Sequence, residues 1–160
     1  MFLEEYSLTK KLPYQVKERE KIFLDIHKLN SSSVRLVNYK LILNGLPTNY
    51  KFNNRYDKEC FMCKKKLSED IQHIFLECKY TKESFEYIRF NFLKDKTLFN
   101  SMVLLDYKRN VSVDDYKTLS CFVYSIWRVR NALKHNERNA NSFELFKIYF
   151  NKWFISITNI

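Results

Sequence analysis

Glycine and proline are nearly missing from this chain, which has one glycine and two prolines in 160 residues. Strand hairpins draw on glycine and proline for their reversed dihedral angles, so a strand-rich architecture has little to turn on. No apolar run approaches the length of a bilayer span. The opening MFLEEYSLTKK carries acid where a secretory leader is positive, and no apolar core of leader length follows it. Cysteine is sparse as well. Three of the four thiols fall within residues 59–78 and the fourth, Cys121, sits in a helical pattern, so a disulfide framework fits poorly. These absences point to an intracellular, reducing setting, nucleus or cytoplasm, without a membrane.

Acid is the other shortage. Lysine and arginine number 28 against 18 aspartates and glutamates, a formal net charge of +10, which suits a polyanion such as RNA or DNA. Lysine spread along a whole chain also serves solubility, so charge alone leaves both readings open. Hydrophobic residues at 46% and aromatics at 17% lie well above the level of a disordered chain. The length allows a single helical domain over 1–160, with a metal-binding module at about 31–95 and a helical C-terminal extension at about 112–157.

Apolar spacing is helical throughout. After Pro13, residues Val16, Ile22, Phe23, Ile26 and Leu29 recur at intervals near three and four. The tract Asn30 to Ser33 ends that helix and can cap the next, in which Val34, Leu36, Val37, Leu41 and Ile42 are expected to face inward. Gly45 stands where a left-handed helix terminus is wanted, and Leu46, Pro47 and Thr48 form the turn beyond it, with Thr48 a candidate N-cap. Ser68 followed by Glu69 and Asp70 reads as a helix start with acid in its first turn, and Thr81 as the cap of the next helix. Ser112 with Asp115 resembles a capping box. The long stripe after it runs through Tyr116, Leu119, Phe122, Val123, Ile126, Trp127 and Leu133. A last helix from Ser142 carries Phe143, Phe146, Phe150, Trp153 and Phe154.

Cys60, Cys63, His73 and Cys78 are spaced C-x2-C-x9-H-x4-C. A two-residue gap lets one tight turn aim two thiolates at one ion, and thiolate sulfur with imidazole nitrogen suits tetrahedral zinc. Four protein donors leave no position for water or substrate, so the expected zinc site is structural. The same residues also fit a plainer reading as buried apolar thiols beside a surface histidine. In an ideal helix, five positions separate His73 and Cys78 widely around the axis, so Cys78 must lie where the helix frays or ends.

The segments LILNGLPTNYKF (41–52), ECFMC (59–63), EDIQHIFLEC (69–78) and SIWRVRNALKHN (125–136) together resemble the zinc-binding domain that follows the polymerase in non-LTR retrotransposon reverse transcriptases. The likeness spans about 31–136. It implies a mainly α domain with an embedded Cys3His zinc-binding loop, a role in handling the element's RNA or its target DNA, and a reverse transcriptase polymerase domain as a further partner. Polymerase, nuclease and ribonuclease H patterns are missing: Asp114 and Asp115 begin a helix instead of a strand turn, and neither proline precedes an aspartate. No enzyme activity and no small-molecule substrate are expected. The alternatives are a protein-interaction module that docks on a polymerase, through Trp153, Phe154 and Ile155, and a decayed element fragment without activity.

Candidate phosphate contacts are Lys51, Arg55, Lys58, Lys64, Lys65, Lys66, Lys79 and Lys82 around the cysteine stretch, with Arg128 and Arg130 on the long helix. Tyr50, Tyr56, Phe61 and Tyr80 offer faces for bases. Each lysine has the duller reading of a solvated face, and Arg130 with Asn131 reads equally well as a brace for the zinc module. Gly45, Leu46, Pro47, Thr48, Trp127 and Asn131 are assigned to structure, Cys121 to the core, and His27 and His135 to the surface.

Overall fold

The computed structural model describes residues 25–43, 45–48, 59–64, 69–101, 111–135 and 141–158. Among these the elements are helices α1 (Ser32–Ile42), α2 (Lys79–Asn91), α3 (Val113–Lys134) and α4 (Ser142–Thr158), with a π-helical turn at His73–Glu77 and no strand. The protein is mainly α, as the shortage of glycine and proline requires. Most of the helix expected after Pro13, with Val16, Ile22 and Phe23, lies outside the described residues. Its last turn is described, and Ile26 and Leu29 are buried there. No described helix is long and apolar enough to cross a membrane.

Helix α3 organises the rest. Every residue from Thr118 to Trp127 is buried, so the helix is covered on all sides and not along one stripe. Helices α1, α2 and α4 and the π-helical turn all pack on it. Small hydroxyl residues make this possible. Ser125 donates to the Cys121 carbonyl at 2.8 Å and so carries its polarity within its own helix. Cys121 is wholly buried, as expected of an apolar thiol, and burial pushes its thiol up to about 12. The α1 contact is pinned by buried Asn38, whose Nδ2 donates to Val34 O at 2.9 Å and across to Ser120 O at 3.2 Å.

Helix ends follow the capping chemistry with several differences. Ser31 caps α1, its Oγ accepting from Val34 N at 3.3 Å. Asn141 caps α4 by accepting from Phe143 N at 2.8 Å. At α3, Ser112 Oγ accepts from Asp115 N at 3.2 Å, but the Asp115 carboxylate does not turn back to complete a box. It accepts from the amides of Lys94 at 2.7 Å and Asp95 at 3.0 Å, tying the α2–α3 loop to the α3 start.

Leu36 is 53% exposed, because Val34, Val37 and Leu41 already define the inward arc and residue 36 falls outside it. Gly45 does not adopt a left-handed conformation; its N–H donates to Lys40 O at 2.6 Å with an ordinary backbone. A Cβ there would stand 3.6 Å from its nearest neighbour, so neither dihedral nor space demands glycine. Leu46 and Thr48 are buried and Pro47 half-buried; the turn that Thr48 was expected to cap lies outside the described residues.

Helices α2 and α4 meet through rings. Phe146, Phe150 and Phe154 stack along α4 at centroid spacings of 5.5 and 5.3 Å, and Phe92 meets Phe150 and Phe154 edge-on at 4.9 and 5.0 Å. Trp153 packs edge-on against Tyr124 at 5.0 Å. Of the apolar trio read as an outward docking face, Trp153 and Phe154 therefore spend much of their surface inside the fold, and Ile155 remains 58% exposed.

Candidate metal centre

Cys60 and Cys63 are set by a single turn in which Lys64 N donates to Cys60 O at 2.9 Å. Lys64 closes that turn with φ at 60°, the left-handed region that side-chain-bearing residues seldom occupy. The other pair comes from the π-helical turn. Asp70 Oδ1 accepts from His73 N at 2.7 Å at the start of this turn, and Ser68 lies outside the described residues. The Cys78 amide then donates to His73 O at 2.8 Å, five residues back. In an α-helix that separation turns a side chain by about 140°. The wider π turn reduces it to roughly 50° and brings His73 and Cys78 to one side. Thr81, read from the sequence as a helix cap, instead donates Oγ1 to Ile74 O at 2.5 Å and fastens this turn to α2.

The four donor atoms all lie within 4.8 Å of one another. Cys60 Sγ and Cys78 Sγ are 3.9 Å apart, and Cys63 Sγ is 3.4 Å from His73 Nε2. Zinc bonds of the usual length imply tetrahedral edges of about 3.8 Å between sulfurs and about 3.6 Å between sulfur and nitrogen, so the donors already stand close to coordination spacing. Cys60, His73 and Cys78 are buried and Cys63 half-buried. His73 Nδ1 is buried and, among the described residues, has no hydrogen-bond partner.

The thiols are also prepared electrostatically. The thiol of Cys60, donating to Cys78, pulls Cys78 down to about 4, and His73 with the amides of Thr81 and Tyr80 at the α2 N-terminus adds to the effect. The same contact, with burial, pushes Cys60 far above the ordinary thiol range. Its bond to Cys78 raises His73. A dication held here would take the place of the Cys60 thiol proton and satisfy both sulfurs. These residues can hold a metal ion, and a closed set of soft donors fits zinc.

Of the candidate phosphate contacts, Lys64, Lys79, Lys82 and Arg128 are exposed. Lys64 and Lys79 lie over the rings of Phe61 and Tyr80 at 5.9 and 4.9 Å, and Arg128 lies over Tyr149 at 5.5 Å. Lys51, Arg55, Lys58, Lys65, Lys66, Tyr50 and Tyr56 fall outside the described residues. Arg130 must be corrected. It is 1% exposed and ion-paired at 2.6 Å with Glu69, itself 0% exposed, so it has no free face for a phosphate and takes the bracing role. Asn131 Oδ1 accepts from Arg130 at 3.0 Å, and Trp127 covers the guanidinium at 4.8 Å.

Glu69, read from the sequence as acid in a first helical turn, is instead buried against Arg130. A signal existed: Arg130 follows Ile126 and Trp127 by four and three positions, on the apolar stripe, where an unpartnered charge is untenable.

A closed four-donor cluster in a helical frame defines a metal-binding helical module. Residues 6–84 match the family model described as zinc-binding in reverse transcriptase, and this stretch is similar to that family. No curated protein and no solved structure matches the chain. The match takes in all four donors and stops short of α3; it is to a zinc-binding family and not to a catalytic domain.

Proposed function

We propose that the chain is a zinc-stabilised nucleic-acid-binding module of a non-LTR retrotransposon reverse transcriptase, without a catalytic site of its own. Cys60, Cys63, His73 and Cys78 hold one zinc, which fixes the fold around them and does no chemistry on a substrate. The observation that carries the reading is the adjacency of the donor cluster to exposed cations. Lys64 follows Cys63 directly, and Lys79 and Lys82 occupy the first turn after Cys78, where a helix start favours anions and no acid is present. Three thiolates on zinc carry one net negative charge, which the surrounding lysines outweigh. Binding then runs through phosphates and reads little sequence.

Zinc content is measured together with binding to single-stranded RNA and duplex DNA as salt is raised. One zinc per chain is expected, with affinity falling steeply with salt. Replacing Lys64, Lys65 and Lys66 by Ala should lower the log–log salt slope by about two to three units. An unchanged affinity and slope would remove this surface from the reading. A second reading, docking on a polymerase domain, rests on Ile148 and Ile155, 55% and 58% exposed and two turns apart on one face of α4. Binding to a polymerase that persists at high salt would favour it.

A further inference from the structure

The groups that shape the metal site extend beyond its four donors. Phe61 lies between Cys60 and Cys63, and its amide donates to Glu69 Oε2 at 3.3 Å. The other oxygen of that carboxylate, Oε1, accepts from Arg130 Nε at 3.1 Å and Nη2 at 2.6 Å. Arg130 reaches the same turn a second time, since its guanidinium lies 4.9 Å from the Phe61 ring, with Trp127 at 4.8 Å. Asn131 takes a further guanidinium proton at 3.0 Å. Two fully buried opposite charges are tolerated because three guanidinium N–H groups are bonded and both carboxylate oxygens accept. Packing alone would be served as well by two apolar side chains. Only a carboxylate held by a guanidinium provides a fixed acceptor for the amide inside the C-x2-C turn.

We propose that Glu69 and Arg130 are positioning residues of the metal centre. Through Phe61 they hold the turn at 60–63 in its metal-binding geometry, so the affinity of the four donors depends on α3, a helix outside the matched family segment. The inference rests on the reading that those donors hold zinc. Coupling is reciprocal, so zinc must tighten α3 around Trp127 to Asn131 by the factor that α3 adds to zinc affinity.

The test is chelator competition for zinc on the full chain, with Glu69→Gln and the charge-free pair Glu69→Leu/Arg130→Met, each checked for helicity when loaded. Groups that orient metal ligands typically contribute about 10- to 100-fold in affinity, and a loss of that size is expected in both variants. The cobalt(II)-loaded variants should also show shifted ligand-field bands, which a loss of general stability would not produce. Variants that fold and keep wild-type affinity and bands overturn the proposal. Where a variant does not fold, amide exchange on the wild-type chain decides: chelation should release protection at residues 127–131 along with the 60–63 turn, and α3 protection that stays unchanged while the turn opens overturns it. A wild-type chain that takes up no zinc fails the underlying metal reading and takes the proposal with it, a result distinct from a zinc-binding wild type matched by its variants.

Discussion

The amide of Cys78 bonds to the carbonyl of His73 across five residues at 2.8 Å, and this one wide turn decides whether two metal donors meet. A single extra residue relative to an α-helix is what such a turn contains. Inserting one alanine after Leu76, half-buried within it, puts the two donors six positions apart, about 120–130° around the axis whether the turn is π or α, and should swing the Cys78 thiol away from His73. The expected result is a chain that keeps three donors in place and binds zinc at least 100-fold more weakly, on the order of the loss of a full ligand. Zinc titration against a competing chelator measures it. Wild-type affinity in the insertion variant would show that the wide turn is incidental.

Much of this arrangement was legible in the sequence, for reasons specific to each residue. The donors announced themselves by type and spacing, and the offset between His73 and Cys78 already required a break in the helix between them. What form the break takes was not legible, because a π turn has no side-chain signature of its own. Helix starts at Ser32 and Ser142 followed from the residues around them. Thr81 and Asp115 were misread in one respect, since a side chain that can cap its own helix can equally bond a neighbouring segment, and only the fold brings Ile74 and Lys94 within reach. Glu69 read as a helix-start acid because its partner lies 61 residues further on. Gly45 looked obligatory because it was the only glycine, and local rules cannot tell a required glycine from a permitted one.

Asp115 gives the loop before α3 its anchor. Its carboxylate is 1% exposed and accepts two backbone amides, so truncation removes the acceptor from two part-buried bonds. Asp115→Ala should cost about 3 kcal/mol, and Asp115→Asn, which keeps one acceptor, about half of that. Ser112→Ala removes only the cap and should cost about 1 kcal/mol. Chemical unfolding of the zinc-loaded variants gives all three values, and equal losses for Ser112→Ala and Asp115→Ala would contradict the anchoring role.

The buried Cys121 thiol sets a limit at high pH. Folded, it ionises near 12, against an ordinary value of 9.0 in the unfolded chain. Below pH 9 both states keep the proton and stability is indifferent to this group. From there to about 12 only the unfolded state releases it, so stability falls as pH rises, by up to about 1.4 kcal/mol per unit. Tyr116, also raised by burial, adds to the same limb. In the zinc-loaded chain, Cys121→Val should flatten the alkaline decline in unfolding free energy without abolishing it. An identical slope in the two proteins would mean that the thiol reaches solvent.

Lys64 combines two roles that one substitution can separate. Its φ of 60° is a conformation that costs a side-chain-bearing residue roughly 1–2 kcal/mol, and glycine avoids that cost while adding some chain entropy to the unfolded state. Lys64→Gly should therefore stabilise the zinc-loaded fold by about 0.5–1 kcal/mol, whereas Lys64→Val, β-branched and strained there, should destabilise it by about 1–2 kcal/mol. The ammonium group is exposed, and its loss should lower the salt slope of nucleic-acid binding by about one unit. The glycine variant is then expected to be more stable and to bind more weakly, a combination that general damage to the fold cannot produce. Unfolding and salt-titrated binding measured on the same preparation test it, and a glycine variant that is both less stable and unchanged in slope would refute both assignments.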